Sequence, residues 1–150
     1  MKRISIWSVQ LVKESSSLYE VETKRVESPR LCFDLIQKVL KLEMSPVEKV
    51  GFLALNTKLE VIGVHVVGVG TVNTSLMEPK SIFQAALLNN ATAIILFHNH
   101  PSGDPKPSEE DINITHRIVE AGRIIGIDVL DHIICGDDRF TSLSREGYIK

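Results

Sequence analysis

The sequence predicts an α/β domain, a mixed β-sheet with helices packed against it, and three observations predict it. The runs "EKVGFLALN", "EVIGVHVVGVG" and "ATAIILFH" have the length and the Val, Ile, Leu and Phe content of strands. Between and around them lie stretches whose apolar residues recur at helical spacing. Breaks at Pro46 and at Asp137-Asp138 separate these runs from their neighbours.

In chain order, Ile4 to Val12 and Leu18 to Val26 alternate apolar and polar residues like half-buried strands, and "KESSS" between them predicts a hairpin. Ser28-Pro29 reads as a helix start, because Ser caps free backbone N–H groups and Pro costs nothing at the first helical position. Cys32, Leu35, Ile36, Val39 and Leu40 follow on one helical face. The two β-rich runs joined by "TK" form a strand pair, and "GTVNTSLMEP" is a loop. Pro79 to Leu88 is helical, "ATAIILFH" a buried strand, Ser108 to Ile125 a helix, "IDVLDHIICG" a strand, and "RFTSL" a last strand after the turn. The expected order is ββαββαβαββ.

A chain of 150 residues with 43% hydrophobic content has the size of one compact domain, here an N-terminal strand extension over 1–27 and a core over 28–150. A formal net charge of −2 supplies no basic field for nucleic acid or acidic membrane. Cys32 and Cys135 stand far apart in apolar stretches and read as buried thiols of a reducing compartment rather than a disulfide. The N-terminus lacks the continuous apolar stretch of a signal peptide, and no apolar run approaches the ~20 residues of a membrane span. The expectation is a cytoplasmic protein without membrane contact.

The chemistry gathers in "FHNHPSGDPKPSEED", Phe97 to Asp111. Successive side chains of a strand point to opposite faces, so His98 and His100 point the same way and Asn99 points away. Asp111 lies on a helix face with Ile114, Thr115, Ile118, Gly122 and Ile125. That face is expected to meet the core, where a lone carboxylate is costly unless it is paired or metal-bound. Two imidazoles and one carboxylate leave the fourth position of a tetrahedral zinc site open for water. Ser108-x-x-Asp111 also fits a capping box, in which the same side chains satisfy the helix N-terminus. Both readings of that pair stand at this point. His65, on an apolar strand, and His116, on an exposed helix flank, read as structural histidines.

His98, His100, Ser108 and Asp111 together spell His-x-His-x7-Ser-x2-Asp, which matches the JAMM (MPN+) metallopeptidase motif. The chain resembles the RadC family more closely still, through "HNHPSGDPKPSEEDINIT", "FLALNTK" (Phe52 to Lys58), "GTVNTS" (Gly70 to Ser75) and "LDHIICG" (Leu130 to Gly136). The likeness runs from about Glu48 onward. It implies a cytidine-deaminase-like three-layer α/β/α domain, zinc held by His98, His100 and Asp111, and an upstream glutamate acting on a zinc-activated water. "SPVEKVGFLALN" aligns Glu48 with that glutamate; on a strand face shared with Val50, Phe52 and Ala54, a carboxylate suits a pocket, and a solvated strand end is the alternative. The resemblance implies that Ser108 donates to a developing oxyanion, and it marks Asp131-His132 as a pair from which a hydrogen bond to a ligand imidazole is expected. The helix-hairpin-helix region that longer RadC proteins associate with DNA is absent from this sequence. Glu78-Pro79-Lys80 stands where relatives usually carry His-Pro-Arg.

Three functions compete. The leading one is a zinc hydrolase of the JAMM type cleaving peptide or isopeptide bonds of an unidentified peptide or protein substrate. The second is a DNA-processing, nuclease or repair-accessory role, with only weak DNA association expected of this chain. The third is a non-catalytic, zinc-stabilised binding module. Apolar strands at a sheet edge offer a route to a homo-oligomer.

Overall fold

The computed structural model describes residues 1–70 and 77–150. Helix α1 (Pro29–Leu40) leads through a 3-10 turn at Leu42–Met44 into β1 (Glu48–Leu55) and β2 (Val61–Gly70). Then follow α2 (Pro79–Leu88), β3 (Ala93–Asn99), α3 (Glu109–Ile125), β4 (Asp128–Cys135) and β5 (Phe140–Ser142). The strands form one mixed sheet in the order β2-β1-β3-β4-β5. The β3–β4 pair is parallel and its neighbours are antiparallel. From Ser28 onward this is the expected order of elements, with the part of the "GTVNTS" loop from Thr71 to Ser75 lying outside the described residues. No helix among the described residues is long and apolar enough to cross a membrane.

Local chemistry starts the helices where the sequence signals them. The Ser28 hydroxyl accepts from the Leu31 N–H at 3.3 Å with Pro29 at the first helical position, and Gly126 ends α3 in a left-handed conformation. One face of the sheet packs Leu53, Leu55, Ile95, Phe97, Ile133 and Cys135 against Cys32 and Ile36 of α1. The other packs Val50, Phe52, Ala54, Ile94 and Leu96 against Phe83 of α2 and Ile118 of α3. The result is three layers, α/β/α, with β3 buried along its whole length. Burial on both faces is why β3 reads as a continuous apolar run rather than an alternating one. Cys32 and Cys135 are buried free thiols, each pushed up to about 12, mainly by desolvation.

The expected N-terminal hairpin does not form. Residues 1–21 carry no regular structure and their apolar side chains, Trp7 at 86% and Ile4 at 87%, stand exposed. Among the described residues the one pairing of this segment is an antiparallel bridge between Arg25 and Glu60, where the Val61 N–H donates to the Lys24 carbonyl and the Val26 N–H to the Leu59 carbonyl, both at 3.0 Å. Alternation alone did not suffice: an isolated two-stranded ribbon is marginal, and "KESSS" lacks the Asn or Gly that closes a tight hairpin.

Gly51 lies in β1 between Val50, the register partner of His98, and Phe52. A β-carbon there would stand 1.9 Å from the His65 carbonyl oxygen and 2.7 Å from the Phe97 ring. Because backbone cannot yield as a flexible side chain does, Gly51→Ala is expected to cost roughly 1–3 kcal/mol or more. Denaturant unfolding checks this; a midpoint unchanged from wild type would contradict the packing.

Candidate metal centre

β3 ends in His98-Asn99-His100, and its two-residue period assigns these side chains different tasks. The Asn99 amide turns away from the histidines and grips β1: its Oδ1 accepts from the Lys49 N–H at 2.7 Å and its Nδ2 donates to the Val47 carbonyl at 3.1 Å. Those two backbone groups flank Glu48. Sequence reasoning missed this role, although a buried amide in an apolar strand was the signal for it.

His98 and His100 bring their Nε2 atoms within 3.0 Å of each other. The Asp111 carboxylate closes the triangle, Oδ1 lying 3.3 Å from His98 Nε2 and Oδ2 3.2 Å from His100 Nε2. His98 is buried, and His100 and Asp111 are partly open. A tetrahedral centre with bonds of ~2.0–2.1 Å has donors about 3.3 Å apart, so this spacing fits a metal ion. The electron pairs make the same point. His100 Nδ1 lies 2.8 Å from the Asp104 carbonyl, which only accepts, so in the neutral ring Nδ1 carries the proton and Nε2 presents a lone pair. Lone pairs and a carboxylate this close repel unless a cation, a proton or a metal ion, sits among them. Without metal, the hydrogen bond to Asp111 above all raises the His100 pKa above its ordinary 6.5, opposed by burial and helped by the Asp104 carbonyl and the charges of Asp111 and Glu48. For Asp111, burial pushes the pKa up, but the hydrogen bonds from His100 and His98 prevail and hold it far below the carboxylate range.

The loop after His100 is shaped to return Asp104 to the imidazole. Gly103, at φ 87°, donates its N–H to the His100 carbonyl at 2.9 Å, and the positive φ is one that glycine adopts without strain. Ser108 then caps α3. Its Oγ accepts from the Asp111 N–H at 3.0 Å, and its own N–H donates to Asp111 Oδ2 at 2.9 Å. The capping box is therefore formed by the same carboxylate that faces the imidazoles, and the two readings of Ser108-x-x-Asp111 are compatible. The Ser108 hydroxyl proton meets no acceptor among the described residues.

Glu48 is half-buried at the start of β1, two residues before the partner of His98. Its charge is the smallest of the influences that raise His100, and its carboxylate forms no hydrogen bond or ion pair with another described residue.

The expectation for Asp131-His132 divides. A β-bulge sets Ile94 beside Val129 but Ile95 beside Asp131, which shifts the rest of β4 by one residue and brings His132 beside Leu96 on the triad's face. His132, fully buried, lies with Nε2 2.7 Å from His98 Nδ1 and Nδ1 2.6 Å from the Thr115 hydroxyl. Desolvation, with His98 second, lowers its pKa well below 6.5. Asp131 makes no hydrogen bond to either ligand imidazole; it accepts from the Ser142 hydroxyl at 2.6 Å and from the Ser144 N–H at 3.0 Å, tying β5 and the turn after it to β4. His65 bonds Asn89 at 2.6 Å and stacks on Phe52, and His116 bonds the Tyr148 carbonyl at 3.0 Å. Neither faces the triad.

A family model described as the RadC-like JAB domain matches residues 26–148. The chain belongs to the RadC-like JAB domain family. Among curated proteins it is similar to a UPF0758 protein of Methanosarcina mazei, 39% identical over 141 residues, which are 94% of this chain and 61% of the relative. A UPF0758 protein of Alkaliphilus metalliredigens is 45% identical over 141 residues, 93% of this chain and 59% of the relative. One of Desulforudis audaxviator is 57% identical over 95 residues, 63% of this chain and 41% of the relative. The chain thus spans at most 61% of the length of these relatives. In this RadC-like JAB domain the triad sits at one end of the central strand.

The His100–Asp111 pair makes the metal-free domain respond to pH in a defined direction. Its stabilising effect through His100 is full below the ordinary imidazole value of 6.5 and fades as pH rises through the raised one. Through Asp111 it is present above the ordinary 3.8 and fades as pH falls toward the lowered value. In an NMR titration of metal-free protein, His100 is expected to titrate above 6.5, and Asp111→Asn to bring it down. An unmoved titration would contradict the pairing.

Proposed function

We propose that this domain is a zinc-dependent hydrolase of the JAMM type that cleaves amide bonds, peptide or isopeptide. The observation that carries the reading is the convergence of three donors, His98, His100 and Asp111, at the end of β3; the Glu48 carboxylate, at the start of the adjacent β1, is engaged by no described residue. His98 and His100 through Nε2 and Asp111 through its carboxylate are the residues that would hold the ion. When bound, a divalent cation would supply Lewis acidity and would make water more acidic, toward neutral pH.

The chain's own groups do the rest. Glu48 takes the proton that the attacking water loses as its oxygen bonds the carbonyl carbon, and returns it to the nitrogen as the C–N bond breaks. The Ser108 hydroxyl, with its oxygen occupied by the Asp111 N–H, has its proton free for the carbonyl oxygen as negative charge develops there. Asn99 keeps Glu48 in place through the peptide groups on either side of it. An amide C–N bond suits this set because one group must collect a proton and release it to a poor leaving nitrogen. The net charge of −2 gives less support to a polyanionic substrate such as DNA.

Glu48→Gln keeps size and most hydrogen bonding while removing the base. Zinc content and melting temperature are expected to stay close to wild type, while hydrolysis of any amide substrate that the wild type cleaves falls by at least ~10²-fold. Glu43, Glu60 and Glu78 serve as controls. Full activity in Glu48→Gln, or loss of it in a control instead, would move the acid–base role elsewhere.

A further inference from the structure

The two ligand imidazoles are oriented by different kinds of partner. His100 Nδ1 meets a backbone carbonyl, an acceptor that cannot change its role. His98 Nδ1 meets His132 Nε2 at 2.7 Å, and a neutral imidazole nitrogen can either donate or accept. Nothing in that contact alone decides on which nitrogen His98 carries its proton. The alternative matters: a proton on His98 Nε2 would be donated to Asp111 Oδ1, 3.3 Å away, and would fill the space in which a cation belongs.

The ambiguity ends two bonds further on. His132 Nδ1 lies 2.6 Å from Thr115 Oγ1, and Thr115 Oγ1 lies 2.6 Å from the carbonyl oxygen of Asp111. The carbonyl has no proton, so the threonine hydroxyl donates to it. With its single proton committed, Oγ1 accepts from His132, which therefore carries its proton on Nδ1. Fully buried and with its ring hydrogen-bonded to no carboxylate, His132 carries this one proton, so its Nε2 has a lone pair and accepts from His98 Nδ1. His98 is left with its own lone pair on Nε2, aimed at the space between His100 and Asp111. The chain runs from one ligand side chain to the backbone of another, through groups buried in the protein.

We propose that Thr115 is a positioning residue that selects the metal-binding tautomer of His98 through His132. The proposal rests on the metal reading of His98, His100 and Asp111 and adds what holds the first of them in its binding form. Thr115 sits four residues after Asp111 in α3, so one helix supplies both the carboxylate and the hydroxyl that orders the opposite ligand. A hydroxyl bonded only to the carbonyl one turn back would be an ordinary local feature of a helix. Here the same oxygen faces a second buried imidazole, which a local bond does not require.

The test compares wild type with Thr115→Val, which keeps the shape and removes the hydroxyl, and Thr115→Ser, which keeps the hydroxyl. Two-bond 1H–15N spectra of the metal-free proteins at about pH 8.5, two units above the ordinary imidazole value, read which ring nitrogens carry protons. Competition with a chromophoric chelator reads Zn2+ affinity, and thermal melts read folding. We expect His98 protonated on Nδ1 in wild type and Thr115→Ser. In Thr115→Val we expect the proton on Nε2 and Zn2+ affinity lowered by at least ~10-fold, the lower range for losing a hydrogen-bond partner of a ligand. His98 protonated on Nε2 in wild type, or Thr115→Val binding Zn2+ within about twofold of wild type, would overturn the relay. The expected tautomers in a wild type with no Zn2+ affinity would uphold the relay and defeat the metal reading, so the two can be told apart.

Discussion

Electron pairs aimed at one another must be held there against their own repulsion, and this constraint organises the site end of the domain. The Nε2 atoms of His98 and His100 stand 3.0 Å apart with the Asp111 carboxylate against both. Left to itself such a cluster would take up a proton or turn a ring. What prevents the turn is a set of fixed partners behind each donor. A carbonyl brought back by the Gly103 turn holds His100, a buried imidazole holds His98, and the Ser108 N–H holds Asp111. The sheet carries all of it, since β3 is buried on both faces and its last residues have little room to move.

Strand parity and one bulge divide the labour among neighbours. Asn99, between the two histidines, faces the other way and ties β3 to the start of β1 through the backbone groups on either side of Glu48. Asp131 and His132 are adjacent, and only one of them can face the triad. The single-residue bulge near the start of β4 assigns His132 to the site and Asp131 to the clasp on Ser142 and Ser144. Moving that bulge would exchange the two roles.

The fold was legible wherever a local rule coincided with burial. Pro79 to Leu88, the strand pair around "TK" and the helix from Ser108 follow from periodicity and caps, and the structure has them at nearly the same bounds. His98 and His100 share a face because strands alternate, and Asp111 meets them because the helical stripe of α3 faces the sheet. Periodicity misled at the N-terminus, where Ile4 to Val12 alternates but finds no third strand to make pairing worthwhile. Contacts between distant elements were beyond reach for the same reason: the bulge that selects His132, and the meeting of Thr115 with it, depend on how α3 lies across β4. Thr115 belonged to a recognised stripe, yet nothing in its spacing distinguished a hydrogen-bonded hydroxyl from one more core residue.

The claim beneath all of this is that the three donors hold a metal ion, and metal content tests it most directly. Protein purified without added metal and measured by elemental analysis is expected to carry about one zinc per chain, since one three-donor set is present among the described residues. A variant with both His98 and His100 replaced by Ala is expected to carry none while still folding. Equal zinc in the two proteins, or none in the wild type even after incubation with excess zinc, would contradict the account.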